Sequence, residues 1–251
     1  MDSFLLGVLK FSAAGAAVFL FLTPFQTALQ ISRDRKVGLV KPLPFAMMAL
    51  NCTIWSLYGV ILRDWVPLVA SNVIGVSAGA FALTTFHRFA PREQRAVTAN
   101  YGVGLIGTAA VLLVGCRDAL VGGHASGVGS AAQAATAGQE KMLGSLGVVI
   151  CVLMFASPLV AVRDVLRSRS TAGMSVAATM GSLACTSLWS LYGLIVNDIF
   201  IWGPNGCGLL LSLLQLSLFL CFGFPSGANG KSPRSASPVL PCVSSDPRIV
   251  D

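Results

Sequence analysis

The segment Trp55-Ser56-Leu57-Tyr58-Gly59 recurs unchanged as Trp189-Ser190-Leu191-Tyr192-Gly193, 134 residues later in the chain. Five further pairs of identical residues keep this offset or miss it by one: Pro24 and Pro158, Arg33 and Arg167, Arg35 and Arg169, Asp64 and Asp198, and Asn72 and Asn205. Self-similarity at a fixed spacing indicates a duplicated structural unit. We therefore predict two related halves that follow one another along the chain.

The composition places both halves in a membrane. Of the 251 residues, 55% are hydrophobic and only 11% are charged, and the mean hydropathy is +0.77. Soluble domains carry about a quarter charged residues, so we exclude an ordinary soluble enzyme, a disordered protein and a nucleic-acid-binding protein. The seven cysteines form no CxxC pair. We interpret them as small fillers of membrane helices, with no disulfide framework and no metal site.

Seven segments are predicted to cross the bilayer, because a spanning helix needs about 20 mostly apolar residues. These segments are Phe4–Phe25, Leu43–Leu62, Trp65–Phe86, Tyr101–Leu120, Met142–Val162, Met174–Val196 and Ile199–Phe224. The fourth is the weakest, since it is glycine-rich and contains Arg117 and Asp118 near its end. Lys10 lies near the end of the first, and we expect its ammonium group to reach the lipid headgroups.

The repeat relates the first three spans to the last three. Two triplets of spans joined directly would be inverted, and one extra span restores a common orientation. We therefore predict an all-α membrane protein with seven transmembrane helices in a 3+1+3 arrangement, in which a linker helix joins two parallel triple-helix bundles. The bundles are expected at residues 4–90 and 141–224, the linker helix and a flexible exoplasmic loop at 91–140, and a disordered cytosolic tail at 225–251.

Basic residues alternate between the two sides of the predicted spans. Thirteen Lys and Arg residues lie in the loops on one side and in the tail, and four lie on the other side. Positively charged loops remain cytosolic. We predict an exoplasmic N-terminus and a cytosolic C-terminus. The plasma membrane is the expected location, and an endomembrane is the alternative.

Several short motifs carry a family resemblance. In the first half they are Leu22-Thr23-Pro24, Leu43-Pro44-Phe45, Trp55 to Gly59 and Asn72; in the second they are Ala156-Ser157-Pro158-Leu159, Arg169-Ser170-Thr171 with Met174, Trp189 to Gly193 and Pro204-Asn205-Gly206. With the 3+1+3 layout, these motifs resemble the SWEET family of sugar facilitators over residues 4–224. The resemblance implies a uniporter that passes sugars down their gradient by alternating access, and a homo-oligomer.

Asn72 and Asn205 are amides inside apolar spans, at matching places in the two halves. Facing amides can donate to and accept from sugar hydroxyls; the alternative is a hydrogen-bonding role between helices. Trp55 and Trp189 offer ring faces for the C–H face of a sugar and an N–H donor; the alternative is packing or an interfacial aromatic belt. The family resemblance favours substrate binding by the asparagine pair and by Trp189.

Prolines lie within or at the start of three spans, as Pro24, Pro44 and Pro158. Proline frees a carbonyl and weakens a helix locally, which is typical of a hinge, whereas Pro44 could simply begin a helix. The family carries four such prolines, and Ser175 stands at the fourth position.

Three polar residues lie near the exoplasmic ends of spans two and six, namely Tyr58, Tyr192 and Asp198. The resemblance implies that they form an outer gate closed by hydrogen bonds. The alternative is interfacial tyrosines beside a loop carboxylate.

These features predict a bidirectional sugar uniporter for monosaccharides such as glucose, and not an enzyme. Apart from Lys10 and the weak fourth span, no span contains the ionisable residue that a proton-coupled transporter needs. We expect no cofactor and no nucleic-acid partner. The alternative is a seven-span receptor or membrane scaffold, for which a duplication with paired Asn and Trp residues has no evident purpose.

Overall fold

The computed structural model describes residues 3–117 and 130–225, and these residues form helices and short connections without a strand. The helices are α1 (Ser3–Asp34), α2 (Leu43–Ile61), α3 (Ala70–Phe89), α4 (Arg92–Gly115), α5 (Ser130–Met154), α6 (Ala156–Ser168), α7 (Val176–Ile195) and α8 (Ile199–Phe222). A π-helical turn at Trp65–Val69 precedes α3.

Six segments of the described chain are long and apolar enough to cross a membrane. They are α1, α2, α3 with its π-helical turn, α4, α5 together with α6, and α8. The predicted sixth span is α7, a 20-residue helix that contains Thr, Ser and Tyr among its apolar residues. It packs against α8 and α1. The protein is therefore an all-α, multi-pass membrane protein with seven transmembrane helices.

The helices form two bundles that are related by the sequence repeat. In the first bundle α3 packs against both α1 and α2, and in the second α8 packs against α5, α6 and α7. Between the bundles, α1 contacts α7 and α2 contacts α5. The repeat relates α1 to α5 with α6, and α2 to α7, so each of these two contacts is the repeat equivalent of the other. A twofold relation between the bundles requires this. The linker helix α4 packs against α2 and α3.

Both copies of the five-residue motif end their helix in the same way. Arg63 and Asn197 follow α2 and α7 with left-handed φ angles of 56° and 55°. The backbone N–H of the next residue donates to the carbonyl of the motif glycine, from Asp64 to Gly59 at 2.8 Å and from Asp198 to Gly193 at 2.9 Å. This is the hydrogen bond of a Schellman helix end. It places the two aspartates at equivalent points in the two halves.

The motif glycines also allow close packing of the following helix. A Cβ atom added to Gly59 would lie 2.8 Å from Cβ of Leu68, and one added to Gly193 would lie 2.6 Å from the backbone nitrogen of Trp202. Because these neighbours are backbone or near-backbone atoms, a side chain at either position would push the two helices apart.

The structure differs from the sequence expectations in three elements. The linker helix α4 begins at Arg92, nine residues before the predicted fourth span. Residues 130–140 lie in α5 and not in the expected flexible loop. The fifth span is interrupted at Phe155, between α5 and α6. The rest of the expected loop, 122–129, and the expected disordered tail after Pro225 lie outside the described residues.

Three apolar clusters make up most of the buried core. The largest contains residues of both bundles, including Leu9, Ile54, Leu143 and Ile201. A second contains buried residues of the first bundle alone, between Ala28 and Ala90, and a third those of the second bundle alone, between Val162 and Phe219. The bundles therefore share one core along part of their length and keep separate cores where α1 and α6 end.

Candidate functional site

A cavity of about 150 Å³ lies between the two bundles. It is lined by Ala17, Leu20, Phe21, Asn51, Trp55, Leu68, Asn72, Cys151, Cys185, Trp189, Ile201 and Asn205. The structure thus brings together all four residues for which the sequence suggested a binding role. None of the twelve lining residues is ionisable as Asp, Glu, Lys, Arg or His.

The lining follows the internal repeat closely. Besides the Trp and Asn pairs, the cavity contains both members of three other repeat-related pairs: Ala17 and Cys151, Asn51 and Cys185, and Leu68 and Ile201. The cavity therefore lies on the axis that relates the two halves. A site on such an axis can be exposed to either side of the membrane by a symmetrical exchange of contacts.

The two asparagines have matching hydrogen bonds. Nδ2 of Asn72 donates to the carbonyl of Leu68 at 2.8 Å, and Nδ2 of Asn205 donates to the carbonyl of Ile201 at 2.8 Å. An amide has two N–H donors and an acceptor oxygen. Each side chain is therefore held by its own helix and keeps one N–H and Oδ1 without a partner among the described residues.

The two tryptophans are buried, and their N–H groups are already used. Nε1 of Trp55 donates to Oδ1 of Asn51 at 3.2 Å, and Nε1 of Trp189 donates to the carbonyl of Ala13 at 3.1 Å. Each is 7% exposed. The indoles consequently offer the cavity their ring surfaces, and the free N–H donor that the sequence suggested is absent in this conformation.

Asn51 is a cavity residue that the sequence reasoning missed. It lies one turn before Trp55 in α2, and its Oδ1 accepts hydrogen bonds from Trp55 and, at 3.4 Å, from Sγ of Cys151 in the other bundle. Residues four apart share a helix face, so an asparagine four positions from a candidate tryptophan was a usable signal. Its repeat partner is Cys185, which makes the two sides of the cavity chemically different.

Beyond one end of the cavity, two Tyr–Asp pairs join the bundles. The hydroxyl of Tyr58 donates to Oδ2 of Asp198 at 2.7 Å, and the hydroxyl of Tyr192 donates to Oδ2 of Asp64. Each pair takes its tyrosine from one half and its aspartate from the other. Asp64 was not among the expected gate residues, although its match with Asp198 in the repeat pointed to it.

The four expected hinge positions have four different environments. Pro24 lies inside the continuous helix α1, and Pro158 lies just after the break at Phe155, in the first turn of α6. Pro44 is the second residue of α2 and begins that helix. Ser175 is the N-cap of α7, where its Oγ accepts a hydrogen bond from the backbone N–H of Ala178 at 3.3 Å.

Side-chain hydrogen bonds between the bundles are confined to the cavity and the Tyr–Asp end. Among the described residues they are the two Tyr–Asp pairs, Trp189 to Ala13, and Cys151 to Asn51. At the opposite end the bundles have the separate apolar cores described above. In this conformation the contact between the halves is closed at the Tyr–Asp end.

Comparison with known proteins finds a family and a fold. The profile of the family described as "Sugar efflux transporter for intercellular exchange" matches residues 7–94 and 141–225, so it matches each bundle separately. The chain is similar to the sugar transporter SWEET1 of Dictyostelium discoideum, with 29% identity over 85% of this chain and 92% of that protein. It is also 29% identical to the bidirectional sugar transporter SWEET7b of Oryza sativa subsp. japonica, over 81% of this chain and 72% of the relative.

A solved structure, described as a eukaryotic SWEET transporter at 3.7 Å resolution, has the same fold. It aligns with a TM-score of 0.70 at 24% identity, over 87% of this chain and 98% of that one.

Proposed function

The chain belongs to the family of sugar efflux transporters for intercellular exchange, and on that premise we propose that it carries sugars across a membrane by facilitated diffusion. The observation that supports this proposal best is the cavity on the repeat axis, which is lined by three amides and two indoles. Sugars combine hydroxyl groups with apolar C–H faces. The residue types around the cavity are complementary to both features.

In the proposed site, Asn72 and Asn205 hydrogen-bond the sugar hydroxyls, and Trp55 and Trp189 pack against the ring. The hydrogen bonds from each asparagine to its own helix fix the amide and leave Oδ1 and one N–H for the substrate. Two opposed amides related by the repeat can bind a sugar from either half. This arrangement suits a carrier that releases its substrate on either side of the membrane.

The substrate is proposed to be a monosaccharide such as glucose. The cavity has a volume of about 150 Å³ between its two indoles. A disaccharide would need a wider space between the tryptophans. Asn51 adds a polar group on one side only, opposite Cys185, so we expect the sugar to bind in a preferred orientation.

Alternating access is proposed to proceed through the two ends of the bundle interface. Tyr58 with Asp198 and Tyr192 with Asp64 form the outer gate, which is closed here. Pro24, Pro44, Pro158 and Ser175 are the positions at which the helices adjust as the opposite end closes and the gate opens. With the charge-based orientation, the end that is closed in this conformation is the exoplasmic one.

Transport is proposed to be uncoupled from protons, because no lining residue of the cavity carries an ionisable carboxylate, imidazole or amine. We place the protein in the plasma membrane, with its N-terminus exoplasmic and its C-terminus cytosolic. The homo-oligomer implied by the family resemblance stays a prediction.

Uptake of radiolabelled sugars by a transport-deficient host tests this function. We expect uptake of glucose or another hexose, no comparable uptake of sucrose, and little effect of a protonophore. If the protein reaches the surface and transports none of a panel of hexoses and disaccharides, the proposal is wrong and the receptor or scaffold alternative is favoured.

A further inference from the structure

Lys10 makes the one ion pair recorded within residues 3–117 and 130–225. Its Nζ lies 3.4 Å from Oδ1 of Asp64, and the two side chains are 31% and 10% exposed. Nζ also lies 5.7 Å from the centroid of the Tyr192 ring. The sequence suggested that this lysine reaches the headgroups. Instead it turns inward and contacts both members of one Tyr–Asp pair.

The two gate aspartates use their oxygens in the same way. Oδ2 of each accepts the tyrosine hydroxyl of the other half. Oδ1 of Asp198 accepts backbone N–H groups at the start of α8, from Phe200 at 2.9 Å and Ile201 at 3.3 Å. Oδ1 of Asp64 has no such backbone partner in the π-helical turn and faces Lys10. In both aspartates, therefore, Oδ2 accepts a hydrogen bond from the other half, and Oδ1 is held by a group of its own half.

The repeat explains why only one half carries the lysine. The position equivalent to Lys10 is Gly144, and a Cβ atom there would lie 2.5 Å from Cγ of Phe200. The second half therefore has no space for a long side chain at this position. Its aspartate is stabilised by a helix N-terminus, whereas the first half supplies a cation.

From this geometry we propose that Lys10 is a positioning residue of the outer gate, which orients Asp64 toward Tyr192 and balances its charge when the gate closes. The inference rests on the gate role given to the Tyr–Asp pairs under the proposed function. A carboxylate that is shielded from water without a counter-ion is strongly unfavourable. When the gate opens, water can solvate Asp64 again. Loss of Lys10 therefore destabilises the closed gate more than the open one.

The experiment measures how fast Cys151 is modified from outside the cell. Cys151 lines the central cavity, so a membrane-impermeant cationic methanethiosulfonate reaches it from outside only when the outer gate is open. Full-length protein in intact cells is treated, and modification of the Cys151 peptide is followed by mass spectrometry. Lys10→Met should raise the modification rate about tenfold, which corresponds to about 1.4 kcal/mol in the gate equilibrium. Lys10→Arg should remain within about twofold of the unmodified protein.

Two controls separate this role from a general structural effect. In an Asp64→Asn background, Lys10→Met should change the rate by less than about twofold, since a neutral amide needs no counter-ion. Arg63→Met removes a positive charge from the same outer depression of about 460 Å³ without touching an ion pair, and it should leave the rate unchanged. If Lys10→Met does not reach the surface, Lys10→Gln replaces it with the same expected direction.

An unchanged rate in the Lys10 variant would overturn the proposal. So would an equal increase in the Asp64→Asn background or in Arg63→Met. Because modification of Cys151 requires no sugar, this result is independent of the uptake assay. If Lys10→Met raises the modification rate but the protein transports no sugar, the gate inference holds and the proposed function is wrong. If the protein transports sugar but Lys10→Met leaves the rate unchanged, the proposed function holds and the gate inference is wrong.

Discussion

Within the repeated five-residue motif, three residues have separable tasks that are the same in both halves. The tryptophan lines the cavity, the tyrosine donates to an aspartate of the opposite half, and the glycine lets the next helix approach. Less than one turn of helix thus connects the cavity to the Tyr–Asp pairs. The two serines differ: Ser56 donates to the carbonyl of Cys52 at 2.8 Å, whereas Oγ of Ser190 is buried without a partner among the described residues.

Loss of an asparagine from the cavity should weaken transport without unfolding the protein. Asn205→Ala leaves sugar hydroxyls without partners in a dry site, at a cost of about 1–3 kcal/mol. Since 1.4 kcal/mol corresponds to tenfold, we expect uptake at low glucose concentration to fall by about ten- to a hundredfold. Initial uptake rates, normalised to surface protein, measure this. Ser77→Ala in α3 is a suitable control, because Ser77 is exposed and bonds only to the carbonyl of Val73. Full glucose uptake by the Asn72→Ala/Asn205→Ala double variant would contradict the assignment.

Removal of one indole should change which sugars are accepted. Trp55→Ala enlarges the cavity on one side and removes one of the two hydrogen bonds that Oδ1 of Asn51 accepts, leaving the one from Cys151. We expect weaker glucose transport together with measurable uptake of disaccharides, in a competition assay of glucose uptake against sucrose and maltose. Robust sucrose uptake by the unmodified protein would show that the two indoles do not limit the substrate size.

At the scale of the helices, the halves differ at their matching prolines. Helix α1 runs through Pro24 without interruption, whereas the second half breaks into α5 and α6 just before Pro158. Proline cannot supply the N–H that would pair with the carbonyl four residues earlier. The same residue at the same repeat position thus gives a continuous helix in one half and a break in the other. We interpret the pair as the two bending points of the transport cycle.

Replacing these prolines should slow the conformational step more than it weakens binding. We expect Pro24→Ala and Pro158→Ala to lower the maximal uptake rate severalfold, with a smaller change in the half-saturating sugar concentration. Pro44→Ala is the matched comparison, since Pro44 begins α2 and frees no carbonyl within a helix. Its effect should be smaller than that of either other variant. Unchanged maximal rates in Pro24→Ala and Pro158→Ala would remove the prolines from the mechanism.

The helix pattern was largely predictable from hydropathy, but two boundaries were not. The start of α4 at Arg92 was missed because Arg92, Glu93 and Arg95 make its first turn polar. The loop was expected from the segment 122–139 as a whole, which is rich in Gly, Ala and Ser, yet residues 130–140 lie in α5. Alanine favours helix, so composition alone gave conflicting signals there. The Asn and Trp pairs of the cavity followed from the repeat, and the same repeat and the helical spacing from Trp55 contained unused signals for Asp64 and Asn51. The contact of Lys10 with Asp64 became evident only from packing between helices distant in sequence.

At the scale of the whole molecule, the orientation in the membrane rests on the distribution of charge. Thirteen basic residues are predicted on the cytosolic side and four on the other. An epitope tag placed after Asp251 should be labelled by antibody only in permeabilised cells, and a tag before Met1 should be labelled in intact cells. Labelling of the C-terminal tag on intact cells would reverse the orientation and place the Tyr–Asp pairs on the cytosolic side.

In the proposed transport cycle, the duplication relates the two end states to each other. Contacts α1–α7 and α2–α5 are equivalent under the repeat, so the bundles can rock about one axis while the cavity stays between them. A receptor needs no such symmetry, whereas a carrier that works in both directions does.

Counterflow in proteoliposomes tests the central claim of a sugar carrier most directly. Liposomes containing the purified protein are loaded with unlabelled glucose and diluted into a trace of labelled glucose, with and without a protonophore. A carrier that alternates between two faces predicts a transient accumulation of label inside, insensitive to the protonophore and abolished by the Asn72→Ala/Asn205→Ala variant. Absence of label accumulation for every hexose tested, with protein correctly inserted, would contradict the proposed function.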